Sequence, residues 1–93
     1  MVQPDDERIE RCLIELLESR APSASICPSD VARSLEKEDA AWRALMPLVR
    51  KVAARLAEAG TLAITQGDRE LAPEQIEHGP IRLRRGPAFP ARR

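Results

Sequence analysis

Residues 4–19 carry apolar side chains at a helical period. They recur three or four positions apart and are Ile9, Cys12, Leu13, Leu16 and Leu17. Side chains at this spacing share one face of an α-helix. The acidic residues 5–7 suit the positive N-terminal end of such a helix. The pattern predicts a first amphipathic helix over residues 4–19, which stops because Pro22 disfavours helical geometry at Ala21.

A second, shorter helix is predicted from Pro28 to about residue 35. Proline suits the first helical position, where its missing N–H loses no hydrogen bond, and Asp30 complements the helix dipole. The apolar edge of this helix consists of Val31, Ala32 and Leu35. Ile26 is β-branched and lies in an extended stretch before proline, so we expect a single strand bridge there.

The clearest periodicity lies between Asp39 and Gly60. One stripe of a helical wheel holds the apolar side chains Trp42, Leu45, Met46, Val49, Val52, Ala53 and Leu56. The opposite side holds the basic side chains Arg43, Arg50, Lys51 and Arg55. Asp39 or a neighbour is expected to cap the start, and Gly60 suits the position after the end. This third helix is predicted to bury one face and to expose a basic one.

Pro47 interrupts the third helix on its solvent side. Proline removes one backbone hydrogen bond and costs about 3 kcal/mol in a helix interior. The helix either kinks or restarts at this residue. We favour a kinked continuous helix, because a bend away from Pro47 would curve the helix around the core.

Strands are predicted after Gly60. Leu62 and Ile64 alternate with Ala63 and Thr65, and residues 66–69 carry a turn signal. Residues 70–79 suggest a short returning segment with one helical turn opened by proline and closed by glycine. Residues 81–85 alternate again, so they should pair with the first strand as an antiparallel ribbon.

Composition narrows the class of protein. The chain has 93 residues, enough for one domain, with 15 basic and 15 acidic side chains. Residues 1–40 hold five basic and ten acidic side chains and the remainder holds the reverse, so the chain is dipolar. With Trp42 and Phe89 as its only aromatic residues, stacking on single-stranded nucleic acid is disfavoured.

The expected setting is the cytoplasm. Cys12 and Cys27 form no Cys-x-x-Cys pair, and no secretory leader or membrane-length apolar run is expected. We expect no membrane partner.

The order of these elements predicts a mainly α fold with a small β-sheet. Three helices followed by a two- or three-stranded antiparallel sheet is the order of a winged helix-turn-helix. The domain is expected to span residues 4–85. Residues 86–93 contain two prolines and no periodicity, so they are expected to form a mobile C-terminal tail.

Four short motifs resemble those of a small bacterial family. They are CPSDVAR at 27–33, WRALMP at 42–47, ITQ at 64–66 and GPIRLR at 79–84. The resemblance covers roughly residues 5–85 and is to a domain of unknown function with a winged-helix-like fold. It implies the fold, and it brings no catalytic residues with it.

Double-stranded DNA is the first functional hypothesis. Arg43 would approach base edges while Arg50 and Lys51 contact phosphates, and Arg69 in the ribbon turn would follow the backbone. The full set of candidate DNA-binding residues is Arg43, Arg50, Lys51, Arg55, Arg69, Arg82 and Arg84. These cations could equally form an ordinary solvated face, and Glu36, Glu38 and Asp39 would oppose phosphate at the start of the third helix.

A protein-interaction module is the alternative. The acidic first helix and the basic second half would then meet complementary partners or each other in a dimer.

An enzyme is not expected. Cys27 precedes a helix and His78 is the one imidazole, yet no acid is placed to orient them, and Cys27 more simply fills space beside Ile26. The spacing of Cys12, Cys27 and His78 matches no zinc pattern, so no metal or cofactor is expected. Trp42 is expected to pack in the core at the corner of the second and third helices.

Overall fold

The computed structural model of the protein describes residues 4–73 and 79–90. Three helices come first: α1 at Pro4–Glu18, α2 at Pro28–Leu35 and α3 at Asp39–Glu58. Four strands are β1 at Ser25–Ile26, β2 at Leu62–Gln66, β3 at Arg69–Leu71 and β4 at Arg82–Arg85. The predicted mainly α class with a small antiparallel sheet is confirmed, and the architecture is compatible with a winged-helix-like fold.

The helices begin and end close to the predicted residues because their local signals are strong. At the start of α2, the Cys27 backbone N–H donates to Asp30 Oδ2 at 2.9 Å, which satisfies a donor that the helix itself leaves unpaired. Glu38 occupies the cap position of α3. After α3 the chain turns at Gly60, whose φ of 83° favours glycine.

Helix α3 runs continuously through Pro47, as predicted, and Pro47 is exposed. The buried face of α3 consists of Val49, Val52, Ala53 and Leu56. This face packs against α1, α2 and β2. Helix α3 thus lies at the centre of the fold with one side turned to solvent.

The sheet has four antiparallel strands in the order β1-β4-β2-β3, rather than two or three. The predicted ribbon of β2 and β4 is confirmed, and Ile26 does pair, opposite Leu83. The additional strand is β3, which returns directly from the tight turn at Gly67 and Asp68 to pair with β2. Its three residues are too few to show an alternation in sequence. The helical turn predicted within residues 70–79 falls mostly on residues 74–78, outside the described part.

Alternation along the strands separates two faces of the sheet. Ile26, Ile64 and Leu83 lie side by side in register and are fully buried against the helices. Ser25 and Ala63 flank Arg84 on the opposite face. The arginines of β4 that point outward therefore lie on the open face of the sheet.

Residues 86–90, assigned to the tail from the sequence, pack back onto the domain. Gly86 N–H donates to Thr61 O at 2.9 Å and Ala88 N–H to Gly60 O at 2.8 Å. A Cβ at Gly86 would lie 2.3 Å from Gly60 O, so this close approach requires glycine. These contacts hold this part of the tail, while residues 91–93 lie outside the described part and their mobility stays a prediction.

Within residues 4–73 and 79–90, no helix combines the length and the apolar character that crossing a bilayer would need.

Candidate nucleic-acid interface

The solvent face of α3 presents two of the predicted cations, Arg43 and Lys51, both exposed. They are eight residues apart, about two helical turns, so both lie on the same side of α3. Between them the exposed side chains are small or compact: Ala44 and Pro47. A helix face with short side chains can approach a partner closely, and no described residue forms an ion pair with either cation.

Arg50 and Arg55 belong to opposite edges of α3. Arg50 is half-buried and donates from Nη2 to Gly79 O at 2.9 Å, toward the segment that leads into β4. Arg55 donates from Nη2 to Glu10 Oε1 of α1 at 2.9 Å. The sequence grouped these two arginines with Arg43 and Lys51, but the five-residue step between them turns them about 140° apart. Each joins α3 to a neighbouring part of the fold.

Arg82 and Arg84 lie on the open face of the sheet, and their guanidinium groups bind the protein itself. Arg82 donates from Nε to Ser25 Oγ and from Nη2 to Ser25 O, both at 2.9 Å, and from Nη1 to Cys27 Sγ at 2.6 Å. Arg84 donates from Nη2 to Ser23 O at 2.7 Å. The two arginines therefore attach β4 to β1 and to the loop before it.

Arg69 is placed differently. It begins β3 directly after the turn, is exposed, and stands opposite Gln66 in the hairpin register. No hydrogen bond or ion pair of its guanidinium is found among the described residues. Gly67, with φ of 62°, makes this turn tight and holds Arg69 near the tip of the hairpin.

One cluster was missed in the sequence. Trp42 is half-buried, and two guanidinium groups lie over its ring: Arg33 Cζ is 4.5 Å from the ring centroid and Arg43 Cζ is 5.2 Å away. The predicted packing of Trp42 against the core is correct for part of its surface. Arg33 comes from α2, so only the angle between α2 and α3 brings it to the ring, and no sequence signal shows that.

Arg85 was also missed. It is half-buried and donates from Nη2 to Leu17 O at 3.0 Å and to Arg20 O at 3.2 Å, at the end of α1. Its Cζ lies 4.8 Å from the centroid of the Phe89 ring. Helix α1 has no basic residue in its own last turn. A residue distant in sequence thus supplies the cation that the C-terminal end of a helix favours.

The cysteines form no reactive pair. Cys27 caps α2 and lies against Arg82, and Cys12 donates weakly from Sγ to Val31 O at 3.9 Å. Burial raises the pKa of the Cys12 thiol above its usual range, since the charged form would lose solvation. Cys12, Leu16 and Leu35 line a groove of about 510 Å³ between α1 and α2. No group of His, Cys, Asp and Glu side chains suited to a metal occurs within the described part of the chain.

Comparison with known proteins identifies the family to which the chain belongs. A search of the curated proteins found no match. A family model described as "Protein of unknown function (DUF3253)" matches residues 6–86, which includes α2, α3, the four strands and all but the first two residues of α1. That match covers most of the chain, and the protein belongs to the DUF3253 family.

Proposed function

We propose that the protein binds double-stranded DNA in the manner of a winged-helix domain, with α3 toward the major groove and the β2–β3 hairpin as the wing. The observation that carries the proposal is the solvent face of α3, where Arg43 and Lys51 are exposed without ion-pair partners among the described residues. Cations on an accessible helix face are what a phosphate-dominated contact requires. A role in regulating transcription is the use that such a domain would fit best.

The order of the elements supports this geometry. A link of only three residues, 36–38, joins α2 to α3, as in a helix-turn-helix, and β1, β4 and β2 form the sheet beside them. The hairpin tip adds Arg69. In winged-helix proteins the second helix of this pair enters the groove, and the hairpin lies along the backbone beside it.

The other candidate residues contact the protein itself, so we expect them to contribute less to DNA binding. Arg50, Arg55, Arg82 and Arg84 each donate to a protein acceptor. A guanidinium that must give up such a bond to reach a phosphate gains less than one whose donors are not engaged. We therefore infer that Arg43, Lys51 and Arg69 make the main contacts with DNA.

Fluorescence anisotropy with a short labelled duplex of random sequence tests the proposal. The wild-type protein should bind, and its association constant should fall steeply between about 50 and 200 mM salt because bound cations displace counterions. The slope of log K against log salt is negative, and Lys51→Ala and Arg69→Ala should each reduce its magnitude by about 0.9, the value for one phosphate contact.

The matched control is Arg20→Ala. Arg20 is exposed and lies just beyond the end of α1, and within the described part of the chain its guanidinium donates only to Leu16 O of its own segment. This variant loses the same charge away from α3 and the hairpin, so its slope should match that of the wild type. Absence of binding by the wild-type protein at the lowest salt would refute the proposal, and sizing in solution would then test the protein-interaction alternative.

A further inference from the structure

The corner between α2 and α3 holds two positive charges beside one aromatic ring. The guanidinium carbons of Arg33 and Arg43 both lie within 5.2 Å of the Trp42 centroid. Both arginines are exposed, while the ring packs on one side against the core. The negative faces of an aromatic ring attract cations, so the Trp42 ring stabilises both guanidinium groups at this corner.

Stacking leaves the hydrogen-bonding capacity of these arginines unused. A guanidinium interacts with an aromatic ring through its flat face, whereas its five N–H donors point outward in the plane. Among the described residues, none accepts a hydrogen bond from the guanidinium group of Arg33 or Arg43. The ring thus orders two sets of donors, and ordering them before binding lowers the entropy lost when a ligand binds.

Two of the three acidic residues near the corner, Glu36 and Asp39, are directed to protein partners. Glu36 Oε2 lies 3.9 Å from Arg8 Nη2 of α1. Asp39 Oδ1 accepts a hydrogen bond from Trp42 Nε1 at 3.4 Å. The charge of Glu36 is therefore partly offset by Arg8, and Asp39 orients the ring beside which the arginines lie, while Glu38 is exposed at the cap position of α3.

We propose that Arg33 and Arg43, stacked on Trp42, form a clamp for the phosphate backbone of duplex DNA. This inference rests on the proposed DNA binding and assigns Arg43 to phosphates rather than to base edges. Arg33 belongs to α2, the helix that crosses the DNA backbone in a helix-turn-helix complex, and a ring shared with Arg33 holds Arg43 at the same place. Contacts to phosphate carry no sequence information, so the clamp contributes equally to all duplexes.

Trp42 makes the clamp directly observable. It is the one tryptophan in a chain without tyrosine, so intrinsic fluorescence reports on this corner alone. Titration of the wild-type protein with duplex DNA should change the Trp42 emission with the same isotherm as the anisotropy of labelled DNA. Arg33→Gln and Arg43→Gln should each lower the salt slope by about 0.9, and the double variant by about twice that.

Sequence independence is tested with three unrelated duplexes. Each variant should lose affinity by the same factor on all three, because the contact is to phosphate. Arg20→Gln again serves as the charge-loss control, and circular dichroism verifies that every variant is folded. Trp42→Phe keeps an aromatic face and should retain most of the slope, whereas Trp42→Leu should lose part of it.

The outcomes separate this inference from the proposed function. If the Arg33 and Arg43 variants keep the wild-type slope while Lys51→Ala and Arg69→Ala lower it, the clamp is refuted and DNA binding stands. A loss at Arg43 that differs among the three duplexes would refute a phosphate contact in favour of base reading. If the protein bound duplex RNA of the same sequence more tightly than duplex DNA, RNA rather than DNA would be the ligand. If the wild type fails to bind at low salt, both proposals fall.

Discussion

The α2–α3 corner and strand β4 each hold arginines in place, by different kinds of contact. At the corner, the guanidinium groups of Arg33 and Arg43 lie over the Trp42 ring. In β4, Arg82 is held through its edges, with donors from Nε, Nη1 and Nη2 all directed at Ser25 and Cys27. Both arrangements order an exposed cation, but only the first leaves its donors free for a ligand.

This difference separates two uses of arginine that have the same charge and similar exposure. Edge-bound arginines join segments that are far apart in sequence, as Arg85 joins β4 to α1. Arginines held by a ring alone, as Arg33 and Arg43 are among the described residues, keep the donors that recognise phosphate. Exposure and charge alone therefore do not identify a binding arginine, and the direction of its donors is the better guide.

The largest effect on stability is expected for Arg85→Met. Methionine retains an apolar stem but removes the donors to Leu17 O and Arg20 O, so the end of α1 keeps the contact from Arg20 to Leu16 O but loses the cation that Arg85 supplies. Charged hydrogen bonds of this kind suggest a loss of about 2 kcal/mol in the free energy of unfolding, or on the order of 10 °C in Tm. Urea denaturation and thermal melting measure both quantities.

Arg84→Met provides the matched control for that prediction. It removes the same charge one residue earlier on the same strand, where a single donor reaches Ser23 O at an exposed position. The loss in the free energy of unfolding should be clearly smaller for Arg84→Met than for Arg85→Met. Equal losses in the two variants would show that general charge or strand propensity, rather than the contact with the end of α1, explains the effect.

A smaller loss in the free energy of unfolding, about 1 kcal/mol, is expected for Arg82→Met, since the hydrogen bonds that this variant loses lie at an exposed position. The sharper measurement is DNA binding. Because the donors of Arg82 are already engaged, the salt slope should stay at the wild-type value, while Arg43→Gln lowers it. Chemical denaturation and anisotropy on the same two variants provide the comparison. A slope reduced equally in both would mean that edge-bound arginines also reach phosphate.

The elements could be predicted because each is specified within a short stretch of sequence. The stripe from Val49 to Leu56 and the alternation of Leu62 and Ile64 follow directly from the periods of helix and strand. Gly60 and Pro28 mark an end and a start. Strand β3 was not predicted as a separate strand, because three residues show no period and its pairing depends on the turn before it.

Of the candidate site, the sequence could predict the positive charge on the solvent face of α3 but not the contacts of the individual side chains. The wheel placed Arg43 and Lys51 on the solvent face of α3, and both are exposed there. It could not show that Arg55 meets Glu10, 45 residues earlier, because tertiary packing creates that contact. For the same reason the contact of Arg33 with the Trp42 ring could not be predicted, because it depends on the angle between α2 and α3.

The smallest predicted effect concerns pH and comes from a thiol, because the guanidinium groups of both regions stay protonated throughout the accessible range. Burial raises the pKa of Cys12 above 9.0, its usual value, so folding favours the neutral thiol. Its contribution to stability is complete below pH 9.0 and is lost as pH rises through the raised pKa. Urea denaturation across this range should show stability falling more steeply in wild type than in Cys12→Ser; parallel curves would contradict the assignment.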